Sequence, residues 1–154
     1  MKLYLVRHGE AASESIDPTR PLSGEGKSAV GKLAKFLKRA GIRVNTFYCS
    51  SKKRAEQTAL ILKETLNPDG KLITKDNFLP DDSTDELVYE LSGERVDVMI
   101  IGHLPYLSKL VSRLVMGNED KAIVEFPTSS VIILERDQER NWYIMAMVTP
   151  DLLK

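Results

Sequence analysis

Two histidines occur in this chain, His8 and His103, and each sits beside a glycine where an apolar run stops. Leu3-Tyr4-Leu5-Val6 gives way to Arg7-His8-Gly9-Glu10, and Val96 to Ile101 gives way to Gly102-His103. A lone histidine at a strand end is usually structural. Two of two at such turns point instead to a side chain that attacks, shuttles protons or binds, since imidazole changes charge near neutral pH. A third turn, Ser50-Ser51-Lys52-Lys53-Arg54, follows the run Val44 to Cys49. Its cations crowd a helix start, where the dipole is already positive and each basic residue costs about 0.3–1 kcal/mol. A local rule broken without local compensation marks a functional site. Helix-start amides beside clustered cations suit a phosphate. Lys52 and Lys53 read equally well as a solvated face, and we assign them so. Arg54 we assign to function, because Ala55 and Ala59 fix its helix face. A metal needs three or four ligands at recognisable spacing. Cys49 stands alone, no HxH or HExxH occurs, and neither phosphate-cradling glycine motif is present. Cys49 is therefore expected in the core, and Ser50 and Ser51 as caps rather than nucleophiles.

The elements that position these residues follow from periodicity. Ser23 is a candidate N-cap for a helix whose Ala29, Val30, Leu33, Phe36, Leu37 and Ala40 share one face, with Gly41 at its end. Val44 to Cys49 reads as a strand, followed by a helix to about Leu66 with Ala55, Ala59, Leu62 and Leu66 inward. Leu72 to Thr74 is a candidate short strand. Ser83-Thr84-Asp85-Glu86 resembles a capping box for a helix through Leu91, ended by Gly93. Val96 to Ile101 is the strongest strand signal. Leu107, Leu110, Val111, Leu114 and Val115 mark the last helix, which ends at Gly117. Val131 to Leu134 and Trp142 to Val148 read as an antiparallel hairpin. The alternation of strands and helices predicts an α/β fold: a three-layer α/β/α sandwich with a mainly parallel sheet and a C-terminal antiparallel hairpin. In such sheets ligands bind at the carboxyl ends of the strands. All three chemical turns then lie on one edge.

The 154 residues predict a single domain, 1–154, of ordinary hydrophobic content, 42%. Lys plus Arg equals Asp plus Glu, 22 against 22, so no net field recruits nucleic acid. One cysteine suits a reducing compartment. The first apolar run breaks at Arg7, too early for a signal-peptide core, and no stretch is long enough to span a bilayer. We expect a cytoplasmic protein with neither nucleic-acid nor membrane partners. Oligomeric state stays open.

Taken together, the three turns resemble the motifs of the histidine phosphatase superfamily, the phosphoglycerate mutase-like clan. Arg7-His8-Gly9-Glu10 is similar to its signature. Ser50 to Ala59 resembles its second motif, Ser-x-x-x-Arg-Ala-x-x-Thr, and Gly102-His103-Leu104-Pro105 its third. The short length, Arg20-Pro21-Leu22-Ser23 and Phe126-Pro127-Thr128-Ser129-Ser130 look like the SixA-type phosphohistidine phosphatase branch. The resemblance implies that His8 is the nucleophile of a covalent phosphohistidine intermediate. It implies that Arg7, Arg54 and His103 hold the phosphoryl oxygens, with Arg20 a further contact. His8 must be neutral to attack, and the arginines disfavour its protonation. His103 works better charged, which a phosphate dianion would favour. No cofactor is implied.

Larger superfamily members carry a clear carboxylic general acid. The matching region here is Leu79-Pro80-Asp81-Asp82, so Asp82 or Asp81 is the candidate, with Glu10 and Glu86 behind them. A phosphohistidine substrate eases the need for an acid, because its leaving imidazole has a pKa near 6.5, against about 10 for a phenol. Without a long insertion to form a lid, the edge would admit a phosphorylated protein, such as a histidine-containing phosphotransfer domain. The alternatives are a small-phosphoester hydrolase and a non-catalytic phospho-ligand binder. Mutase activity ranks lower, because it needs closure over the intermediate.

Overall fold

The computed structural model describes residues 1–154. Six strands form one sheet: β1 (Lys2–Arg7), β2 (Thr46–Ser50), β3 (Lys71–Lys75), β4 (Val98–Gly102), β5 (Val131–Arg136) and β6 (Trp142–Val148). Their spatial order is β3-β2-β4-β1-β5-β6. The first four are parallel, and β5 joins β1 and β6 antiparallel, as the sequence pattern predicts. The helices are α1 (Gly24–Arg39), α2 (Lys53–Leu66), α3 (Asp85–Gly93) and α4 (Tyr106–Met116).

Strand alternation divides the core into two layers. Tyr4, Val6, Met99 and Ile101 face α1 and α2, where they meet Val30, Leu33, Leu37, Ala55, Ala59 and Leu62. Leu3, Leu5, Val98 and Ile100 face the opposite side, against Leu87 and Leu91 of α3 and Leu107, Leu110 and Val111 of α4. Both layers are closed to solvent, and each fully buried aliphatic side chain contributes roughly 1.5–3 kcal/mol. Cys49 is buried in the first layer. No helix is long and apolar enough to cross a membrane.

Element ends depart from the sequence reading where pairing, not hydrophobicity, sets them. β2 begins at Thr46 and β4 at Val98, because those residues pair with each other. Val44 is buried but precedes the ladder, and Val96 is half exposed. The N-cap of α2 is Lys52, without a side-chain cap bond, rather than Ser50 or Ser51. The Ser83–Glu86 capping box does not form. Thr84 caps α3 by position, but its hydroxyl donates to Glu119, while Ser83 Oγ accepts the Asp85 N–H at 3.2 Å. Ser23 does cap α1, accepting the Gly26 N–H at 3.0 Å, and Gly41 takes the positive φ of +76° that follows its end.

Candidate active site

β1 and β4 are neighbours, with Arg7 in register with Gly102, so the two histidines emerge side by side at the carboxyl edge. The His8 N–H donates to Gly102 O at 3.0 Å, and the two imidazole centroids lie 5.0 Å apart at 58°. β2 flanks β4 on its other side and delivers α2, which brings Arg54 over His8. The Arg54 Nε–H donates toward His8 Nε2 at 3.4 Å. A cleft of about 320 Å³ opens there, lined by Arg7, His8, Glu10, Ala11, Arg20, Arg54, Pro80, His103, Leu104 and Thr128.

The tautomer of His8 follows from its partner. Nδ1 lies 2.7 Å from Gly9 O, and a carbonyl only accepts. Nδ1 therefore carries the proton, and in the neutral ring Nε2 is left with a lone pair beside Arg54. Burial is the largest influence on the ring. Together with Arg54, Arg7 and Arg20, and against the opposing pull of the Gly9 carbonyl, it brings the His8 pKa down to about 4. The sequence reading named the arginines; burial outweighs them. His103 is lowered further, to about 3, first by burial and then by His8, Arg54, Lys52 and Arg7. In the free cleft His103 is thus neutral, because burial and the neighbouring cations disfavour its charge. Its Nε2 lies 2.7 Å from Ser50 Oγ. The hydroxyl read as a helix cap is therefore turned mainly toward the site, although it also accepts the Lys52 N–H at 3.3 Å.

The guanidiniums are held from the protein side. Arg7 Nη1 donates to Phe126 O at 2.8 Å, and its Nε is buried without a partner. Arg20 reaches the cleft, its Nε–H donating to Ala12 O at 3.1 Å, from a left-handed backbone with φ +47°. That conformation is strained for a non-glycine residue and tends to occur at functional sites. Both Arg7 and Arg54 have pKa values lowered by burial, yet both remain cationic.

The acid candidates fare differently. Neither Asp81 nor Asp82 lines the cleft; from that loop only Pro80 does. The Asp82 carboxylate instead accepts the Leu79 N–H at 2.8 Å, closing its own turn. Glu86 accepts from Asn77 at 2.6 Å. Glu10 is the carboxylate in the cleft wall, where it accepts from Ser23 Oγ at 3.2 Å. Lys52 and Lys53 are exposed beside the adjoining groove. No group of three or more His, Cys, Asp or Glu side chains has the arrangement to hold a metal ion.

Several supporting residues carried no assignment from sequence. Thr58 Oγ1 accepts the Gly9 N–H at 3.0 Å and donates to Arg54 O at 2.7 Å, tying the His8 turn to α2. Gln57 Oε1 accepts the Leu22 N–H at 2.7 Å and so anchors the Arg20 loop to the same helix. The Ser129 N–H, at φ +61°, donates to both Arg7 O and His8 O at 3.2 Å. Thr58 and Gln57 lie inside the Arg-Ala-x-x-Thr motif, which was the available signal.

The whole chain is similar to known proteins in sequence and in fold. Phosphohistidine phosphatase SixA of Escherichia coli (strain K12) is 27% identical over 159 residues, covering 100% of this chain and 97% of that protein. The structure of the protein histidine phosphatase SixA complexed with tungstate superposes with a TM-score of 0.88 at 26% identity, with 100% of both chains covered. The alpha-ribazole phosphatase from Shigella flexneri shares the fold at a TM-score of 0.74 and 15% identity, over 97% of each chain. The model of the histidine phosphatase superfamily (branch 1) matches residues 3–79. Half of the chain is thus matched, including Arg7, His8 and Arg54, and the chain belongs to that superfamily.

Proposed function

We propose that this protein is a phosphohistidine phosphatase acting through His8. The observation that carries the reading is the His8 ring itself. Its proton is held on Nδ1 by Gly9 O, which leaves a bare Nε2 in a cleft lined by three guanidiniums. An imidazole neutral down to about pH 4 is competent to attack at neutral pH. Nε2 forms the N–P bond as the bond from phosphorus to the leaving group breaks. Arg7, Arg54 and Arg20 stabilise the three equatorial oxygens. Water then attacks the phosphoryl-His8, the Nε2–P bond breaks, and inorganic phosphate leaves.

The leaving group supports the finer assignment. Glu10 is the only carboxylate lining the cleft, and it is exposed on the rim side. A strong acid position is needed for an alkoxide, less for an imidazole that takes its proton from solvent. The connections ringing the cleft, 8–23, 76–84 and 117–130, carry no helix that would cover it. That suits a phosphorylated protein surface, a histidine-containing phosphotransfer domain being the simplest candidate. The similarity to SixA over the whole chain supports the same class.

The test is a trapping experiment joined to a rate comparison. Quenched after a labelled phosphoramidate donor, the protein is expected to carry acid-labile label on the His8 peptide, and His8→Ala to carry none. Phosphohistidine on a protein is expected to turn over with higher kcat/KM than alkyl phosphates. Label elsewhere would overturn the nucleophile. Faster alkyl phosphates would make the protein a small-phosphoester hydrolase, and phosphate binding without turnover of any substrate would make it a binder.

A further inference from the structure

We propose that Ser50 is a positioning residue that locks His103 in its Nδ1–H tautomer, so that a neutral imidazole offers a hydrogen-bond donor to the phosphoryl group. This rests on the phosphatase reading above and names the part His103 plays in it.

Ser50 ends β2 and is fully buried, as His103 is to within 2%. Ser50 Oγ lies 2.7 Å from His103 Nε2, and the same oxygen accepts the Lys52 N–H at 3.3 Å. His103 Nδ1 is buried with no partner in the protein. A neutral imidazole carries one proton, so two arrangements exist. With the proton on Nε2, His103 donates to Ser50. The hydroxyl proton then has no acceptor, since its other neighbour is the Lys52 N–H, itself a donor. Nδ1 is at the same time a bare buried acceptor, which makes two unsatisfied groups. With the proton on Nδ1, Ser50 accepts from Lys52 and donates to Nε2, and both its bonds are used. Only the Nδ1–H stays open. Buried polar groups left unpaired are strongly disfavoured, so the second arrangement holds.

The charged ring, which would make the question idle, is suppressed. Burial first, and then the nearby cations Arg54, Lys52 and Arg7, hold His103 neutral in the free cleft at physiological pH. A donor toward an anion must therefore come from the neutral form. The one open group of the network, Nδ1–H, belongs to a residue that lines the cleft, beside His8. An arriving phosphoryl oxygen supplies the acceptor that the protein withholds. The two histidines then share a tautomer, each fixed from behind: His8 by the Gly9 carbonyl and His103 by the Ser50 hydroxyl.

Long-range ¹H–¹⁵N correlation on the full chain labelled at histidine nitrogens reads the tautomers directly. The expected result in the wild type is a protonated Nδ1 and a bare Nε2 on both rings. On adding inorganic phosphate, the His103 Nδ1 resonance moves. In Ser50→Ala the His103 pattern shifts toward Nε2–H while that of His8 holds. Ser51→Ala, which removes the exposed neighbouring hydroxyl, leaves both unchanged. With p-nitrophenyl phosphate, Ser50→Ala lowers kcat about 10–100-fold, the range for removing a group that orients a functional imidazole, with a much smaller change in KM. A wild-type His103 protonated on Nε2 would overturn the proposal, and so would a Ser50→Ala spectrum identical to wild type. A wild type that turns over no phosphoester counts against the phosphatase reading alone, since the tautomer spectra and the phosphate titration still decide this one.

Discussion

At the scale of the residue, single hydrogen bonds aim the two rings of the candidate site, His8 by the Gly9 carbonyl and His103 by the Ser50 hydroxyl. Arg7, His8, Arg54 and His103 were legible because each type is rare or conspicuous at its position: the only two histidines, and an arginine at a helix start that should repel it. The structure gathers all four in one cleft, with Arg20. The placement of the acid candidates was not legible. Asp81 and Asp82 stood at the right place in the chain, but their loop turns Pro80 inward and uses Asp82 to close itself. Ser50 was also hidden, since a hydroxyl near a helix start looks like a cap whichever way it points, and the Arg-Ala-x-x-Thr motif marked Thr58 without saying which groups it ties together. Thr58 yields a prediction. Thr58→Val keeps the shape but strands the buried Gly9 N–H and frees the Arg54 carbonyl. Stability is expected to fall by about 1–3 kcal/mol, and kcat/KM to fall as His8 loses its anchor. Thr58→Ser is expected to recover most of both. Urea unfolding and steady-state kinetics on the three proteins check it, and a Thr58→Val enzyme as stable and fast as wild type would contradict it.

Elements were legible in kind and order because their periods are clean, and less so at their ends. Hydrophobicity continues past the point where a strand finds a partner, as at Val44 and Val96. It also says nothing of how closely two elements seat, which here matters to the site. α1 enters against the loop that carries His8. The Glu10 carbonyl accepts the Ser23 N–H at 2.9 Å, and a Cβ built on Gly26 would lie 2.1 Å from that carbonyl oxygen. Gly26 thus permits a helix-to-loop approach that no side chain tolerates. Gly31, five residues further along α1, has nothing within 4 Å of such a Cβ. The same substitution should act with opposite sign at the two positions. Gly31→Ala relieves the helix of glycine's backbone entropy and should stabilise by about 0.5–1 kcal/mol. Gly26→Ala must push α1 off Glu10, at a cost of about 1–3 kcal/mol. For a chain of this size each 1 kcal/mol moves Tm by about 2–4 °C. Gly26→Ala should also lower kcat/KM, because Glu10 is two residues from His8. Thermal melts of the pair that moved in the same direction would refute this seating of α1.

For the whole molecule, neutral overall charge hides a local imbalance. The 22 cations and 22 anions cancel in the composition, yet Arg7, Arg20 and Arg54 converge on a cleft that holds one carboxylate. Sequence could show that clustering only through the three turns, because the topology that makes β1, β2 and β4 adjacent is what assembles it. The imbalance makes folding stability depend on pH through the two histidines. Unfolded, both titrate near pH 6.5. Folded, His8 stays neutral down to about pH 4 and His103 down to about pH 3. Between those limits the unfolded chain binds protons that the folded chain refuses, so stability rises with pH across the window and is lost as pH falls. Above about pH 7 neither ring contributes a slope. From His8 alone the loss between pH 7.5 and 4.5 should be on the order of 2–3 kcal/mol. A bound dianion works the other way, because it favours protonated imidazole. Sulfate, which stays doubly charged throughout this range, should therefore raise Tm more at pH 5 than at pH 7.5. Urea unfolding across the window, with His8→Asn and His103→Asn beside the wild type, separates these rings from the carboxylates that titrate in all three proteins. Each substitution should flatten the slope between pH 6.5 and 4.5 and reduce the low-pH gain from sulfate. An unchanged slope in both variants would mean that the cleft does not hold its histidines neutral, and the proposed attack by His8 would then need another source for its free lone pair.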